Sequence, residues 1–346
     1  MSYKVEVMPS GQHFMVKEGQ IVLDAALDAG VILPYSCRSG SCISCKGKVL
    51  EGDYDPGIGT EQMMSPDEMQ EGYTLFCQTT AQSDLVIESP EMRLETDVIT
   101  RKMPARVIKL DKLKDDVMLV QLQTPSTEQF RYYPGQYIDF IFRVNVRRSY
   151  SISVAPKEDQ LLELHIRHMP GGMFTDRVFG DDERPIKERE ILRIEGPLGT
   201  FYLREDSDKP MVFVATGTGF SPFKAIMEHI ISEGITRPIT LYWGGRRPQD
   251  LYMNDLAEQW AKDLPFFNYI PVVSDALEED NWQGRTGFVH QAVLDDFEDL
   301  SGHQVYACGA PVMVDVARKT FIQEKNLPEN EFFADAFTSA KDEVKA

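Results

Sequence analysis

The stretch Cys37-Arg38-Ser39-Gly40-Ser41-Cys42-Ile43-Ser44-Cys45 decides how this chain is read. It holds three thiols in nine residues, with four residues between the first pair and two between the second. A fourth, Cys77, comes after 31 intervening residues. That is the spacing of a four-thiolate [2Fe–2S] ligand set, with Cys37, Cys42, Cys45 and Cys77 as the metal ligands. Gly40 and the serines beside it let the backbone come close to the sulfides and point N–H groups at them. A zinc site would show two matched C-x-x-C arms, and only Cys42/Cys45 has that form. A disulfide pair would need an exported chain. The opening Met-Ser-Tyr-Lys-Val-Glu-Val has no apolar signal core. The fifth cysteine, Cys308, leaves no disulfide framework, so a reducing, cytoplasmic setting is expected.

A chain of 346 residues is long enough for two or three domains with ample core. Hydrophobic residues make up 42% and charged residues 26%, the balance of a globular protein, and no apolar run approaches a membrane span. The net charge of −19 opposes nucleic acid and anionic membrane surfaces and fits a partner with a basic patch. Acidity is dense at the front: residues 1–95 hold 15 Asp+Glu against 6 Lys+Arg, giving −9.

Strand patterns at 3–8 and 13–17 flank a Ser10-Gly11 turn, and 21–29 reads as a short helix ended by Gly30. Strands are expected at 46–50, at 75–79 around Cys77, and at 84–88, with a short helix over 63–69. This is a β-grasp-like pattern carrying one ligand loop, and Pro90 to Pro104 reads as a linker. Valine-, isoleucine- and tyrosine-rich segments then recur at 105–110, 117–123, 136–142, 149–154, 161–168 and 191–195. They predict a small antiparallel barrel with one helix at 173–178. From 210 onward strands and helices alternate: 211–215, 222–233, 239–243, 250–262, 267–273, 288–296, 305–308 and 312–324. That rhythm predicts a parallel sheet covered on both faces. The expected domains are 1–95, 101–204 and 205–338.

Four further motifs carry chemistry. Arg148-Ser149-Tyr150-Ser151 places an arginine suited to a phosphate and a tyrosine suited to a flat ring on one strand face. Gly171-Gly172-Met173-Phe174-Thr175 opens a helix, with His165 and Arg167 just upstream. Gly217-Thr218-Gly219-Phe220-Ser221-Pro222 succeeds a strand and starts a helix, an anion-binding arrangement that departs from G-x-G-x-x-G. Cys308-Gly309-Ala310-Pro311 repeats that geometry. The six histidines show no zinc spacing.

In this order the motifs resemble the ferredoxin-fused branch of the ferredoxin–NADP reductase superfamily over roughly residues 1–338. His165-Ile166-Arg167, Gly196-Pro197-Leu198-Gly199 and Phe333-Ala334-Asp335-Ala336-Phe337 are similar to the CDP-6-deoxy-Δ3,4-glucoseen reductase group within it. The resemblance implies a β-grasp [2Fe–2S] domain, an FAD-binding barrel and an NAD(P)-binding domain. It implies that Arg148, Tyr150 and Ser151 hold FAD, with Ser151 near its reactive edge, and that Gly172 and Thr175 take its pyrophosphate. His165 and Arg167 join the cofactor-binding set. Gly217, Thr218 and Gly219 would receive the dinucleotide, Cys308 would lie close to the nicotinamide, and Phe337 would cover one flavin face.

The expected activity is electron transfer from NADH through FAD and the cluster to a separate oxygenase or deoxysugar dehydrase. A flavin is needed because a hydride brings two electrons and a cluster takes one. NADPH is the alternative donor, because Arg246 or Arg247 after the 239–243 strand could grip a 2′-phosphate. The rival functions are a free flavin, quinone or ferric reductase, and a redox-sensing interaction protein.

Overall fold

The computed structural model describes residues 1–89, 92–94, 98–126, 129–142 and 146–338. Two compact units emerge, one from residues 1–97 with 334–346 and one from residues 98–333.

In the first unit, Ser2–Met8 and Gln12–Lys17 form a hairpin, and a parallel Leu85–Glu88 strand extends it. Lys46–Glu51 and Tyr73–Leu75 complete a five-stranded sheet. Helix Val22–Asp28 covers one face. Alternation along the hairpin sends Val5, Val7, Phe14 and Val16 into the core with Leu23, Leu33 and Phe76. Two features depart from expectation. The 63–69 helix is two helices, Ile58–Met63 and Pro66–Gln70, because Ser65 accepts the Glu68 N–H and its own N–H donates to the Glu68 carboxylate. That capping box starts a new helix at Pro66. Cys77 lies in a turn beyond the Tyr73–Leu75 strand, where the Gln78 and Thr79 amides both return to the Leu75 carbonyl.

The second unit begins with six antiparallel strands, among them Arg101–Lys114, Tyr137–Ile141, Arg147–Ser151, Leu161–Arg167 and Ile191–Leu198. A bridge between Ile152 and Leu164 joins the two edge strands and closes the barrel. Phe140, Ile152, Leu164, Phe174 and Ile194 fill it. Pro104, expected in a linker, sits inside a strand opposite Arg193. Pairing with the Val117–Gln123 strand starts only at Arg106, so the missing proline N–H falls where one side has no partner strand. Pro90 and residues 95–97 of that linker lie outside the described residues. The expected 173–178 helix runs from Thr175 to Phe179.

Strands Met211–Thr216, Ile239–Gly245, Phe267–Val273 and Gln304–Gly309 pair in parallel, with helices Phe220–Glu233, Asn254–Asp263, Val289–Asp296 and Pro311–Lys325 between and after them. The first strand lies between the second and the fourth, so the order reverses beside it. In such sheets ligands bind outside the carboxyl ends of the strands at that point. No helix among the described residues is long and apolar enough to cross a membrane.

Candidate functional site

The cluster loop uses unusual backbone conformations, with positive φ at Arg38, Gly40 and Ile43. Its shape aims amides at sulfur. The Cys37 N–H donates to Cys42 Sγ and the Ser39 N–H to Cys37 Sγ, each at 3.4 Å. Arg38 pairs with Asp24 at 2.8 Å and ties the loop to the first helix. Cys42, Cys45 and Cys77 are buried and Cys37 is half-buried. The thiols associate in twos. A hydrogen bond with Cys42 holds the Cys37 thiol down to about 5, and burial opposes it. A hydrogen bond with Cys45 lowers Cys77 in the same way. No three ligating side chains among the described residues converge as a single metal ion requires. Two pairs of thiols fit a [2Fe–2S] centre, in which each iron takes two.

Residues 334–336 bear on this loop. Ser36 Oγ donates to the buried Asp335 carboxylate at 2.6 Å, and Ser44 Oγ donates to the Ala334 carbonyl at 3.3 Å. Both anchors flank cluster cysteines, so they set where the loop's two arms lie. Phe337 comes next, half-buried.

On the barrel, Arg148 and Tyr150 lie on one face of the Arg147–Ser151 strand. Tyr150 packs against Phe140 and Phe174, with ring centroids 5.9 and 5.5 Å away, and burial holds its hydroxyl protonated. The Arg148 side chain donates to the Arg147 carbonyl and has no carboxylate partner among the described residues. A flat ring beside Tyr150 and an anion beside Arg148 both suit a flavin nucleotide. The 169–175 loop is knitted to itself. Thr175 Oγ1 donates to the Met169 carbonyl at 2.9 Å, and the Gly172 N–H donates there at 2.7 Å.

The sheet's carboxyl edge is built by close backbone approach. A Cβ on Gly219 would lie 2.2 Å from the Cys308 carbonyl oxygen, and one on Gly309 would lie 2.2 Å from Thr216 Oγ1. The Ala310 N–H donates to that same hydroxyl at 2.9 Å. Trp243 stacks on Phe220 at 4.0 Å and donates its indole N–H to the Gly217 carbonyl at 3.0 Å. Gly217, Thr218 and Gly219 form a single 3₁₀ turn leading into helix Phe220–Glu233. Cys308 is fully buried beside them.

Arg167 reaches this turn from the barrel, and a Cβ on Gly217 would come within 3.1 Å of its Nη1. Its Nε lies 3.2 Å from Asp116 but off the hydrogen-bond direction, and its Nη2 lies 4.0 Å from Asp250 without a hydrogen bond. A half-buried guanidinium with two N–H groups that make no hydrogen bond, at a glycine turn, fits a dinucleotide's pyrophosphate. His165, on the same strand face, turns inward instead. Its Nδ1 meets the Tyr252 hydroxyl at 2.8 Å and its Nε2 faces Glu163 at 3.4 Å.

Sequence reasoning missed what stands behind His165. Lys224 Nζ donates to Glu163, Glu228 and the Ser153 carbonyl at 2.9, 2.7 and 3.1 Å. Ser221 Oγ donates to the Ser151 carbonyl at 3.3 Å. The helix that begins at the glycine turn is thereby fastened to the strand end bearing Ser151. Burial pushes the Glu163 carboxyl up, but His165 and the Lys224 ammonium outweigh it and hold it down to about 2. Burial lowers His165 and keeps it neutral. These signs set the pH dependence. Unfolding frees His165 to take a proton below about 6.5, and frees Glu163 to take one below about 4.3. Both make the unfolded state bind more protons, so stability should be full above about pH 6.5 and decline in two stages below it. Lys224→Met leaves two half-buried carboxylates without their shared cation and should cost about 1–3 kcal/mol, read as a lower melting temperature.

The assembled geometry defines an oxidoreductase that joins a cluster-binding module to a flavin barrel and a nicotinamide-binding sheet. Comparison with known proteins agrees. Residues 5–82 match the 2Fe-2S iron-sulfur cluster binding domain, 104–202 the oxidoreductase FAD-binding domain, and 213–319 the oxidoreductase NAD-binding domain. The chain is 38% identical over 341 residues to the CDP-6-deoxy-L-threo-D-glycero-4-hexulose-3-dehydrase reductase of Yersinia pestis, covering 99% of this chain and 100% of the relative. It is 37% identical to the phenol hydroxylase P5 protein of Acinetobacter pittii, over 99% of this chain and 96% of that one. The cytochrome P450 reductase GcoB of Amycolatopsis superposes with a TM-score of 0.76 at 31% identity, over 98% of this chain and 99% of that one. The chain belongs to the ferredoxin-fused iron–sulfur flavoprotein reductases of the ferredoxin–NADP reductase superfamily. It is an NAD(P)H-dependent oxidoreductase that carries electrons through FAD and a [2Fe–2S] cluster to a separate terminal enzyme.

Proposed function

We propose that this reductase takes electrons from NADH and supplies a sugar-nucleotide dehydrase of the kind named for its Yersinia relative. The observation that carries the reading is the pairing of four thiols in one unit with a flavin strand and a nicotinamide switch point in the other. An oxygenase partner is the second reading, favoured by the 37% identity to the phenol hydroxylase P5 protein. The domains are taken as 1–95, 101–204 and 205–338, with residues 334–338 grouped by their contacts with the first.

A bound flavin supplies the conversion of one hydride into single electrons, and a bound cluster accepts them one at a time. The side chains bind and orient. Tyr150 and Arg148 would hold the flavin's ring and phosphate, Gly172 and Thr175 would shape the loop that takes its pyrophosphate, and Ser151 would meet the ring. Arg167 would donate the N–H groups that make no hydrogen bond to dinucleotide phosphates at Gly217–Gly219. Cys308 would close the nicotinamide end. Ser221 and Lys224 hold the helix that begins at the glycine turn against the Ser151 strand end, and so would position a nicotinamide against a flavin. No acid or base is needed, because a hydride carries no separate proton. The excess of acid in residues 1–95 suits docking to a basic patch on a partner in the cytoplasm.

The test reconstitutes the FAD- and iron-loaded protein with a dehydrase or with an oxygenase and tracks NADH oxidation coupled to partner turnover. Turnover with one of them supports the corresponding reading. Dye reduction without turnover of either leaves a free flavin, quinone or ferric reductase. Absence of nucleotide-driven dye reduction favours a redox sensor.

A further inference from the structure

The nucleotide's adenosine end has its own device, and its role rests on the nicotinamide site proposed for this sheet edge. In open parallel sheets the residues at the end of the second strand meet the ribose 2′ position, where an arginine receives the phosphate of NADPH. Here that strand, Ile239–Gly245, runs directly into Arg246 and Arg247. Two cations at this place would by themselves favour NADPH.

The loop after the next strand changes the outcome. The Ser274 N–H donates to the Gly245 carbonyl at 3.0 Å and the Asp275 N–H to the Arg246 carbonyl at 2.8 Å, so the two loops are laced together. Lacing brings Asp280 onto Arg247, with Nε to Oδ2 at 2.7 Å and Nη2 to Oδ1 at 2.8 Å. That is a two-pronged pair, the strongest geometry open to a guanidinium. Glu279 takes the same Nη2 at 3.2 Å. Asp280 is itself held by the Leu277 N–H at 2.9 Å and the Gln249 amide at 3.1 Å. Arg247 therefore has its fork engaged by carboxylates. Arg246 is exposed and has no carboxylate partner among the described residues. Asp275, Glu278, Glu279 and Asp280 outnumber the two arginines and repel a 2′-phosphate.

We propose that Asp280, assisted by Glu279, sequesters Arg247 and so sets the preference for NADH over NADPH. The latch is a specificity device outside the hydride path. An arriving 2′-phosphate would have to displace a carboxylate that hydrogen bonds from Arg247, Leu277 and Gln249 already hold, whereas a bare 2′-hydroxyl asks nothing of Arg247.

The experiment measures kcat/KM for NADH and NADPH in the full-length, FAD- and cluster-loaded protein with ferricyanide as acceptor. The double variant Glu279→Gln/Asp280→Asn should gain about tenfold with NADPH, the worth of one charge-assisted contact, and stay unchanged with NADH. Adding Arg247→Gln should abolish that gain, because the freed guanidinium is its source. Arg247→Gln alone should change neither nucleotide's value, and it keeps the Asp280 loop contacts if the double variant folds poorly. An unchanged NADPH value in the folded double variant, or a loss with either nucleotide in Arg247→Gln alone, overturns the latch. Flavin reduced equally fast by both nucleotides in the parent overturns the latch and leaves the reductase reading standing. Flavin reduced by neither overturns both.

Discussion

Gly219→Ala should slow reduction by nicotinamide nucleotides about a hundredfold while leaving the flavin and the iron in place. The glycine's φ is ordinary at −59°, so conformational freedom is not at issue. What excludes a side chain is distance. The added methyl would lie 2.2 Å from the Cys308 oxygen, 2.6 Å from its carbonyl carbon and 2.9 Å from Gly309 Cα. All three are backbone atoms of the neighbouring strand end and cannot swing aside as a side chain would. The turn or the Gln304–Gly309 strand end must shift, and with it the nicotinamide relative to the flavin. A misplacement of about 1 Å costs hydride transfer about a hundredfold. Stopped-flow flavin bleaching by NADH measures the effect, with dithionite reduction as the control for intact cofactors. Reduction at the parent rate would show that the dinucleotide does not use this crevice.

Cys42→Ser should remove delivery to the terminal enzyme and spare NADH-driven dye reduction. Cys42 is buried, receives the Cys37 N–H and pairs with the Cys37 thiol, so a shorter and harder oxygen takes the place of the thiolate proposed as an iron ligand. Changes one shell farther from a metal already cost about 10–100-fold in affinity. Loss of the ligand itself should take the iron–sulfur absorbance and partner turnover to background. The flavin and nicotinamide residues lie elsewhere in the chain, so ferricyanide reduction should persist near the parent rate. Partner turnover surviving without the cluster would identify the flavin as the direct donor.

The chain alone determined a good deal, and for a local reason. Cysteines separated by four, two and 31 residues have the spacing of a [2Fe–2S] ligand set before any folding, because such a loop can wrap two irons. Alternation at period 2 and then at 3.6 separated barrel from wound sheet, and strand–glycine–helix punctuation located the turn at Gly217–Gly219. Local punctuation failed where a partner from elsewhere decided the outcome. Pro104 sits in a strand because its neighbour strand starts two residues later, and Cys77 lies in a turn because two amides return to Leu75.

The tertiary structure decided the charge states and allegiances of the site. That the thiols associate as Cys37 with Cys42 and Cys45 with Cys77 depends on where a turn beyond the insertion lands. Whether His165 meets a phosphate or is buried against Tyr252 and Glu163 depends on Lys224, 61 residues past Glu163. Whether Arg247 is open to a nucleotide depends on Asp280, 33 residues away. Hydrophobic periodicity reports which face of an element is buried. It carries no information about which distant charge that face meets, and at these positions that charge sets the chemistry.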